Sequence, residues 1–252
     1  MLIIVPILAA LCAPALWWVL GRPRTVPRAG TPPPDTRISI IIPARNEEHN
    51  IGDLLESILT NNTRPHEIIV MDDASTDRTA AIARKNGATV ISPPPLPDDW
   101  KGKPWACHHG AAAATGDWLL FLDADTRLAP GGLDRIHGLT TRPDHVHSIC
   151  PHHTVHKPAE ELSAFFNVLM IAGVNAFGIQ RDAEHHAALF GQCLLIARDH
   201  YKQVGGHAPV RSEILENFHL ARHLADLGIP RACHLGRDCI TMRMFPGGLP
   251  EL

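Results

Sequence analysis

Short apolar runs alternate with helical patterns through the first half of the chain, and this alternation constrains the fold more than any other feature. The apolar runs predict four strands, at residues 37–42, 67–71, 89–92 and 117–122. Helical spacing of apolar residues predicts helices between them, at residues 46–59, 76–85 and 103–114. Such an alternation predicts an α/β fold with a doubly wound, mostly parallel sheet, whose ligands bind beyond the carboxyl ends of the strands.

The second half of the chain has a looser pattern. We predict a strand at residues 145–150, an apolar helix at 160–176 and a long helix at 213–227, with a mixed stretch around Phe190-Gly191-Gln192. A length of 252 residues with 45% hydrophobic residues suits one sizeable globular core. We therefore assign residues 37–252 to one domain, with a first half at about 37–128 and a second at about 129–240.

Charge and cysteine usage exclude several classes of protein. The net charge of -3 provides no basic field, so nucleic acid is not expected as a partner. The six cysteines are scattered, without a C-x-x-C pair, which argues against a zinc site and against a disulfide framework. They are typical of reduced, mostly buried thiols in a cytosolic compartment.

Residues 1–20 contain no charged side chain and are long enough for one transmembrane helix. Trp17 and Trp18 lie at one end, and arginines follow at once, beginning with Arg22 and Arg24. The positive-inside rule then places the remaining chain in the cytoplasm, held at the cell membrane, with the lipid bilayer as a partner. A cleaved signal peptide is the alternative, but a basic segment before the apolar run is absent. Residues 21–36, rich in Pro and Arg, are predicted to form an extended linker.

Asp123 and Asp125 follow the strand predicted at 117–122. Because they are two residues apart, their side chains leave the backbone on the same side and can converge on one cation. That cation is expected to be Mg²⁺ or Mn²⁺, which takes its other oxygens from a diphosphate. A capped or solvated turn is the alternative, but the carboxyl end of a strand is where this architecture binds its ligand.

A second acidic cluster, Asp72-Asp73-Ala74-Ser75-Thr76-Asp77, ends the strand predicted at 67–71. We predict that Asp73 accepts a hydrogen bond from a base N–H or a ribose hydroxyl, whereas Asp77 caps the next helix.

The segment after the first strand begins Pro43-Ala44-Arg45-Asn46-Glu47. Here Arg45 can pair with phosphate and Glu47 with ribose, although a capped helix start with surface charges explains the segment equally well. Lys103 is a candidate point charge for the diphosphate, with a solvent-facing lysine as the alternative.

Glu216 lies in the helix predicted at 213–227. An acceptor hydroxyl loses its proton as it attacks, and a carboxylate facing the reacting carbon would take that proton. Helical spacing alone favours a surface role for this glutamate, so its assignment depends on the resemblance described next.

With these segments in order, residues 37–228 resemble glycosyltransferase family 2, which has the GT-A fold. The resemblance rests on the segment from Ile42 to Glu48, on the acidic cluster from Asp72 to Asp77, on GDWLLFLDAD ending at Asp125, and on Gly205-Gly206-His207. It implies a nucleotide-diphosphate sugar as donor and transfer with inversion in a single displacement. It also implies nucleotide-sugar contacts from Pro43, Arg45, Glu47, Asp73, Lys103 and Asp123, and a metal held by Asp123 and Asp125.

Within the family the chain looks most like membrane glucosyltransferases of lipid or carotenoid hydroxyls, through Gly102-Lys103-Pro104-Trp105-Ala106 and the stretch from Gly206 to Glu216. This implies transfer of a hexose, glucose from a UDP-sugar, to a membrane-soluble acceptor. Such relatives carry Glu-Asp where this chain has Glu216-Asn217, and the Asp is the expected base. Three alternatives follow: Glu216 replaces it, Glu213 replaces it, or the protein is a catalytically impaired, nucleotide-sugar-binding membrane protein.

Two further expectations come from this comparison. The relatives commonly continue into membrane helices after a segment like the one at residues 241–245, so the chain is expected to be a fragment or a truncated version. A nucleotidyltransferase would share the acidic sheet edge but would carry a glycine-rich, basic loop after the first strand, and residues 43–48 supply none.

Overall fold

The computed structural model describes residues 14, 21, 23–28, 35–155, 170–173, 177 and 189–243. The strands of this part are β1 (Ile38–Ala44), β2 (Glu67–Asp72), β3 (Thr89–Ile91), β4 (Trp118–Leu122), β5 (Thr126–Leu128), β6 (Val146–Cys150), β7 (His152–His153), β8 (Cys193–Ala197), β9 (Arg231–Leu235) and β10 (Ile240–Met242). Its α-helices include α1 (Ile51–Leu59), α2 (Thr79–Lys85), α3 (Gly102–Ala113), α4 (Gly132–Gly138), α5 (Arg198–Gln203) and α6 (Glu216–Asp226).

Seven strands form the central sheet, in the order β3-β2-β1-β4-β8-β6-β9. The first four are parallel, as are β6 and β9, whereas β8 is antiparallel to both of its neighbours. The chain runs outward from β1 through β2 and β3 and then returns to place β4 on the other side of β1. This reversal is a topological switch point, where open α/β sheets bind their ligands.

Burial on both faces explains why the central strands are almost wholly apolar. All five residues of β4 are buried, as are six of the seven residues of β1. One layer of the core lies between the sheet and α1, and the other lies between the sheet, α3 and α6. The predicted α/β class and the mostly parallel sheet are confirmed.

Strand β1 extends through Pro43 to Ala44, two residues beyond the predicted end. The Ala44 carbonyl accepts a hydrogen bond from Asp73 N–H on the β2 side, at 2.9 Å. Since backbone groups alternate sides along a strand, Pro43 faces the β4 side, where the pairing ends at Ile41. No ladder bond is required of the proline nitrogen there, so Pro43 does not end the strand.

Helix α1 begins at Ile51, five residues after the predicted start at Asn46. Asn46 has a φ of 57°, a left-handed conformation that cannot begin a helix. Its side-chain oxygen accepts from Thr76 N–H at 2.8 Å, and its own N–H donates to Ser75 Oγ at 3.0 Å. These long-range bonds, which local spacing does not report, also account for the late start of α2 at Thr79.

The prediction for the second half missed four of the described strands, β7, β8, β9 and β10. Residues 193–197, within and after the stretch described as mixed, form β8 between β4 and β6. The predicted strand at 145–150 is confirmed as β6, and the predicted long helix is confirmed as α6, three residues shorter at its start. Most of the predicted helix at 160–176 lies outside the described residues, although residues 170–173 are helical.

Part of the predicted linker packs on the domain. Thr25 forms a parallel bridge with Leu235 of the edge strand β9, and Val26 is 1% exposed. Leu235 N–H donates to Arg24 O at 2.7 Å. The linker prediction did not foresee this contact, which covers an otherwise open sheet edge.

The predicted transmembrane helix at residues 1–20 lies outside the described residues, apart from Pro14. Within the described ranges, every helix is too short or too polar to traverse a bilayer. The described cysteines are buried, as predicted.

Candidate active site

A cleft of about 400 Å³ opens at the switch point, beyond the carboxyl ends of β1 and β4. Seven residues predicted to bind the nucleotide sugar or the metal line it: Pro43, Arg45, Glu47, Asp73, Lys103, Asp123 and Asp125. A small cavity that shares Pro43, Lys103 and Asp123 with the cleft is lined by Glu216. The structure therefore brings all the predicted site residues together.

The turn that carries Asp123 and Asp125 is held by backbone bonds. Asp123 N–H donates to Gln192 O at 3.0 Å, which ties the end of β4 to the segment before β8. The Asp123 carbonyl accepts from Thr126 N–H at 3.1 Å and from Thr126 Oγ1 at 2.7 Å. These bonds use the main chain of Asp123 and leave its carboxylate turned to the cleft.

Asp125 lies where negative charge is concentrated. Burial, together with the nearby charges of Asp123 and Glu47, raises the pKa of Asp125 to about 6. A divalent cation would relieve this repulsion, so the carboxylates fit a hard, oxygen-binding metal. Among the described residues no group of three or more potential ligands gathers at one point. Such a cation would therefore depend on oxygens from the nucleotide diphosphate.

Lys103 connects the two ends of the cleft. Its Nζ lies 2.6 Å from Asp123 Oδ1 and 3.9 Å from Glu216 Oε1. Burial alone would lower the pKa of Lys103, but the charge of Asp123, with further help from Glu216, raises it above its ordinary value. The ammonium group is therefore charged, and it is placed to meet a diphosphate as well as both carboxylates.

Glu216 is 7% exposed and begins helix α6. Burial raises the pKa of Glu216, and the Lys103 charge acts in the opposite direction. Asn217 Nδ2 donates a hydrogen bond to Glu216 Oε1 at 2.8 Å. A side chain at Gly191 would collide with Asn217 Nδ2, so the glycine keeps this donor in position. Glu213, the alternative base, instead places its carboxylate 3.3 Å from His219 Nε2.

The side of the cleft next to β2 is also closely packed. The side chain of Asp73 is 16% exposed, and Arg45 Nη1 lies 3.8 Å from its Oδ2. A Cβ added at Gly102 would lie 2.6 Å from the same oxygen, so only glycine lets α3 begin this close to Asp73. Glu47 Oε2 accepts from Asn50 Nδ2 at 2.9 Å and faces the cleft with the rest of its carboxylate.

Asp77 has the structural role that the sequence predicts. Its Oδ1 accepts from Thr79 N–H at 2.9 Å at the start of α2, and its Oδ2 accepts from Glu48 N–H at 3.0 Å. These hydrogen bonds outweigh burial and hold the pKa of Asp77 below its ordinary value. The carboxylate thus connects the loop after β1 with the loop after β2.

A buried, uncharged histidine, His207, lines the same small cavity as Lys103. His207 is 3% exposed, and its Nδ1 lies 2.7 Å from the Tyr201 hydroxyl. Burial, together with the charge of Lys103, lowers the pKa of His207 to about 3. The imidazole is therefore uncharged and adds no competing positive charge beside the ammonium.

Sequence reasoning missed the roles of Asn217, Gly102 and Gly191. In the sequence Asn217 stands out only as a departure from the expected aspartate, and its value as a donor depends on where Glu216 points. The two glycines lie beside predicted site residues, and an isolated glycine in such a place is a usable signal of close backbone approach.

The doubly wound sheet, with an acidic cleft at its switch point, defines an α/β protein of the GT-A type. The sequence model of glycosyl transferase family 2 matches residues 39–205, and the chain belongs to this family. The predicted family is therefore confirmed.

Curated relatives of the chain are carotenoid glycosyltransferases. The chain is 37% identical over 220 residues to 4,4'-diaponeurosporenoate glycosyltransferase of Staphylococcus haemolyticus (strain JCSC1435). It is 34% identical over 224 residues to the protein of the same name from Staphylococcus aureus (strain MRSA252). Each match covers 85% of this chain but 58% of the relative, so the chain spans little more than half the length of these proteins.

Solved structures with the same fold include two glycosyltransferases. A mannosyltransferase from Pyrobaculum calidifontis, in complex with GDP-Man and Mn²⁺, aligns with a TM-score of 0.58 at 22% identity, over 92% of this chain and 66% of that one. Glucosyl-3-phosphoglycerate synthase from Mycobacterium tuberculosis, in complex with Mn²⁺, UDP and phosphoglyceric acid, aligns with a TM-score of 0.59 at 23% identity, over 86% and 76%. At these identities the likeness establishes the fold alone.

Proposed function

We propose that this protein is a metal-dependent, inverting glycosyltransferase that moves a hexose, glucose from UDP-glucose, to a membrane-soluble acceptor of the carotenoid-acid class. One observation carries the proposal: Lys103 lies between Asp123, on the donor side of the cleft, and Glu216, on the acceptor side. The curated relatives, named for a carotenoid acid, support the acceptor class. The proposed location is the cytoplasmic side of the cell membrane.

On the donor side, Asp123 and Asp125 would hold Mg²⁺ or Mn²⁺ together with the diphosphate. The metal, when bound, neutralises charge on the leaving diphosphate. Lys103 contributes a second positive charge at the same place, and Asp73 accepts hydrogen bonds from the nucleoside. Arg45 and Glu47 line the rim, where phosphate and ribose would lie.

On the acceptor side, Glu216 is proposed as the base for a hydroxyl acceptor. Burial favours its protonated form, while Lys103 and the Asn217 N–H favour the ionised form that can accept a proton. An acceptor carboxylate needs no base, because it is already ionised at neutral pH. Glu216 is therefore needed as a base only when the acceptor is a hydroxyl.

Nucleotide binding provides the first test. The full chain should bind UDP in the presence of Mn²⁺, and EDTA should weaken that binding by at least tenfold. Asp123→Ala should have the same effect, whereas Asp98→Ala, at an exposed position away from the cleft, should leave it unchanged. Binding that is unaffected by both EDTA and Asp123→Ala would remove the metal from the proposal.

Transfer provides the second test. Glu216→Gln should abolish transfer to hydroxyl acceptors while UDP binding is preserved, because glutamine cannot take a proton. Transfer to long-chain carboxylic acids should persist at a reduced rate. Full activity of the variant toward hydroxyl acceptors would exclude Glu216 as the base.

A protein that binds nucleotide sugar without transferring it is the second candidate function. Its support is Asn217, an amide where the resembling enzymes carry the aspartate expected to act as base. UDP binding by the wild-type chain, with no transfer to any membrane lipid extract or added acid, would favour this candidate.

A further inference from the structure

Three large apolar side chains lie exposed at the start of α6, beside the buried Glu216. Ile214 is 81% exposed, Leu215 63% and Phe218 39%, and together they form what we call the apolar ledge. Glu216 follows Leu215 directly but turns inward and is 7% exposed. The turn therefore buries a carboxylate and exposes hydrocarbon, the reverse of what solvation favours, which indicates a binding role.

The ledge is part of an ordered turn. Phe218 N–H donates to Leu215 O at 3.0 Å, which fixes the backbone between the two residues. Ion pairs lie at its rim: Arg211 Nε is 2.7 Å from Asp99 Oδ2, and Glu213 pairs with His219. An apolar centre with a polar rim is the usual anatomy of a recognition surface.

We propose that the apolar ledge binds the hydrocarbon chain of the acceptor while the polar end of the acceptor reaches Glu216. This inference rests on the proposed function and adds the residues that select an apolar acceptor. Leu215 precedes Glu216 directly in the chain, so a molecule whose reacting group lies at Glu216 can extend its hydrocarbon chain onto the ledge. The occupant is thus a single amphiphile with one polar end and a long apolar chain.

Two other occupants fit the ledge less well. An anionic bilayer surface favours an excess of basic side chains, but the rim pairs Arg211 with Asp99 and His219 with Glu213. A second copy of the chain would need about 800 Å² per partner for a stable interface, far more than three side chains provide.

A polyene fatty acid tests the proposal without requiring turnover. Cis-parinaric acid fluoresces when its conjugated chain enters an apolar site, and its Kd would be measured for the full chain and for the double variant Ile214→Ser/Leu215→Ser. Both positions are exposed, so the fold should be retained. We expect the Kd to rise about tenfold, the scale for losing one well-buried aliphatic contact. Leu227→Ser, 43% exposed at the far end of α6, is the matched control and should leave the Kd unchanged.

Several results would overturn the inference. They are an unchanged Kd in the double variant, an equal loss in the control, or no saturable binding by the wild-type chain. If the double variant binds parinarate as the wild type does but no longer sediments with phosphatidylglycerol vesicles, the ledge would be assigned to a membrane surface. If it binds parinarate normally but loses self-association, the ledge would be assigned to a second copy of the chain.

Transfer kinetics separate this inference from the proposed function. The KM for a long-chain carboxylic acid should rise about tenfold in the double variant, while the KM values for a short-chain acid and for the nucleotide sugar should not change. If the wild-type chain binds parinarate through the ledge but transfers no sugar, the proposed function fails and the ledge remains a binding site. If transfer proceeds and the long-chain KM does not respond, the ledge inference fails alone.

Discussion

Replacing Asp125 by asparagine should stabilise the metal-free protein at neutral pH and remove its response to divalent cations. Burial, with Asp123 and Glu47 nearby, raises the pKa of Asp125 to about 6 in the folded protein. The unfolded chain titrates near its ordinary value of about 3.9. Between these values the folded state binds more protons than the unfolded state, so this group lowers stability as pH rises from about 4 to about 6. Above pH 6 the cost is complete.

The size of that cost follows from the shift of the pKa. About two pKa units correspond to at most ~3 kcal/mol, and partial access to water reduces the expected value to about 1–2 kcal/mol. Asparagine keeps the shape of the side chain but carries no charge, so the variant escapes this cost. A bound metal has the opposite effect on the free energy of unfolding. At a free concentration one hundred times its Kd, it stabilises the wild-type protein by about 2.7 kcal/mol.

Urea unfolding at several pH values, in EDTA, measures the difference between wild type and Asp125→Asn. The variant should be more stable above pH 6, and its advantage should disappear near pH 4. Added Mn²⁺ should raise the Tm of the wild type alone. Asp98→Asn, an exposed control, should show no pH-dependent difference. If Asp125→Asn is less stable than wild type at neutral pH, or if its advantage does not depend on pH, the electrostatic account of this site is wrong.

Three further predictions concern the acceptor side and the sheet edge. Asn217→Asp removes the hydrogen-bond donor to Glu216 and adds a second carboxylate, and two such charges 4 Å apart repel by ~4 kcal/mol. We expect kcat toward a hydroxyl acceptor to fall at least tenfold at neutral pH. A kcat above wild type would instead place the base at residue 217. Lys103→Met should raise the KM for nucleotide sugar about tenfold. It should also move the pH dependence of kcat to higher pH, because Glu216 loses its nearest cation. An unchanged pH profile would contradict the assignment of Glu216 as the base. Burial lowers the pKa of His147 to about 3 and that of His234 to about 4, below the ordinary value of about 6.5. The stability that the two neutral histidines contribute is therefore lost as pH falls from about 6.5 toward 3. Acid unfolding of His147→Gln, followed by circular dichroism, should begin at a lower pH than in wild type.

The donor half of the site was predictable because its signals are local. Buried parallel strands are apolar along their whole length, and the carboxyl ends of neighbouring parallel strands meet at one edge of a sheet. The sequence therefore predicts that Asp73 after β2 and Asp123 after β4 lie in one cleft. The family motifs reinforced this expectation, and the geometry agrees with it.

Other features depend on contacts between distant segments. Strand β8 enters antiparallel between β4 and β6, and the segment just before it brings Gln192 to Asp123 and Gly191 to Asn217. A five-residue apolar run does not reveal the direction of the strand or its neighbours, because the spacing and burial of apolar residues are the same in a parallel and an antiparallel strand. The left-handed Asn46 likewise depends on partners near residue 75.

Residue type and spacing along single segments predict the α/β class and the acidic edge at Asp123-Ala124-Asp125, and the resemblance of four motifs indicates the family. The protonation balance of Asp125, the hydrogen bond that Asn217 donates to Glu216, and the exposure of Ile214 cannot be predicted in this way. Each of these depends on which distant groups exclude water or supply charge, and that information belongs to packing in three dimensions.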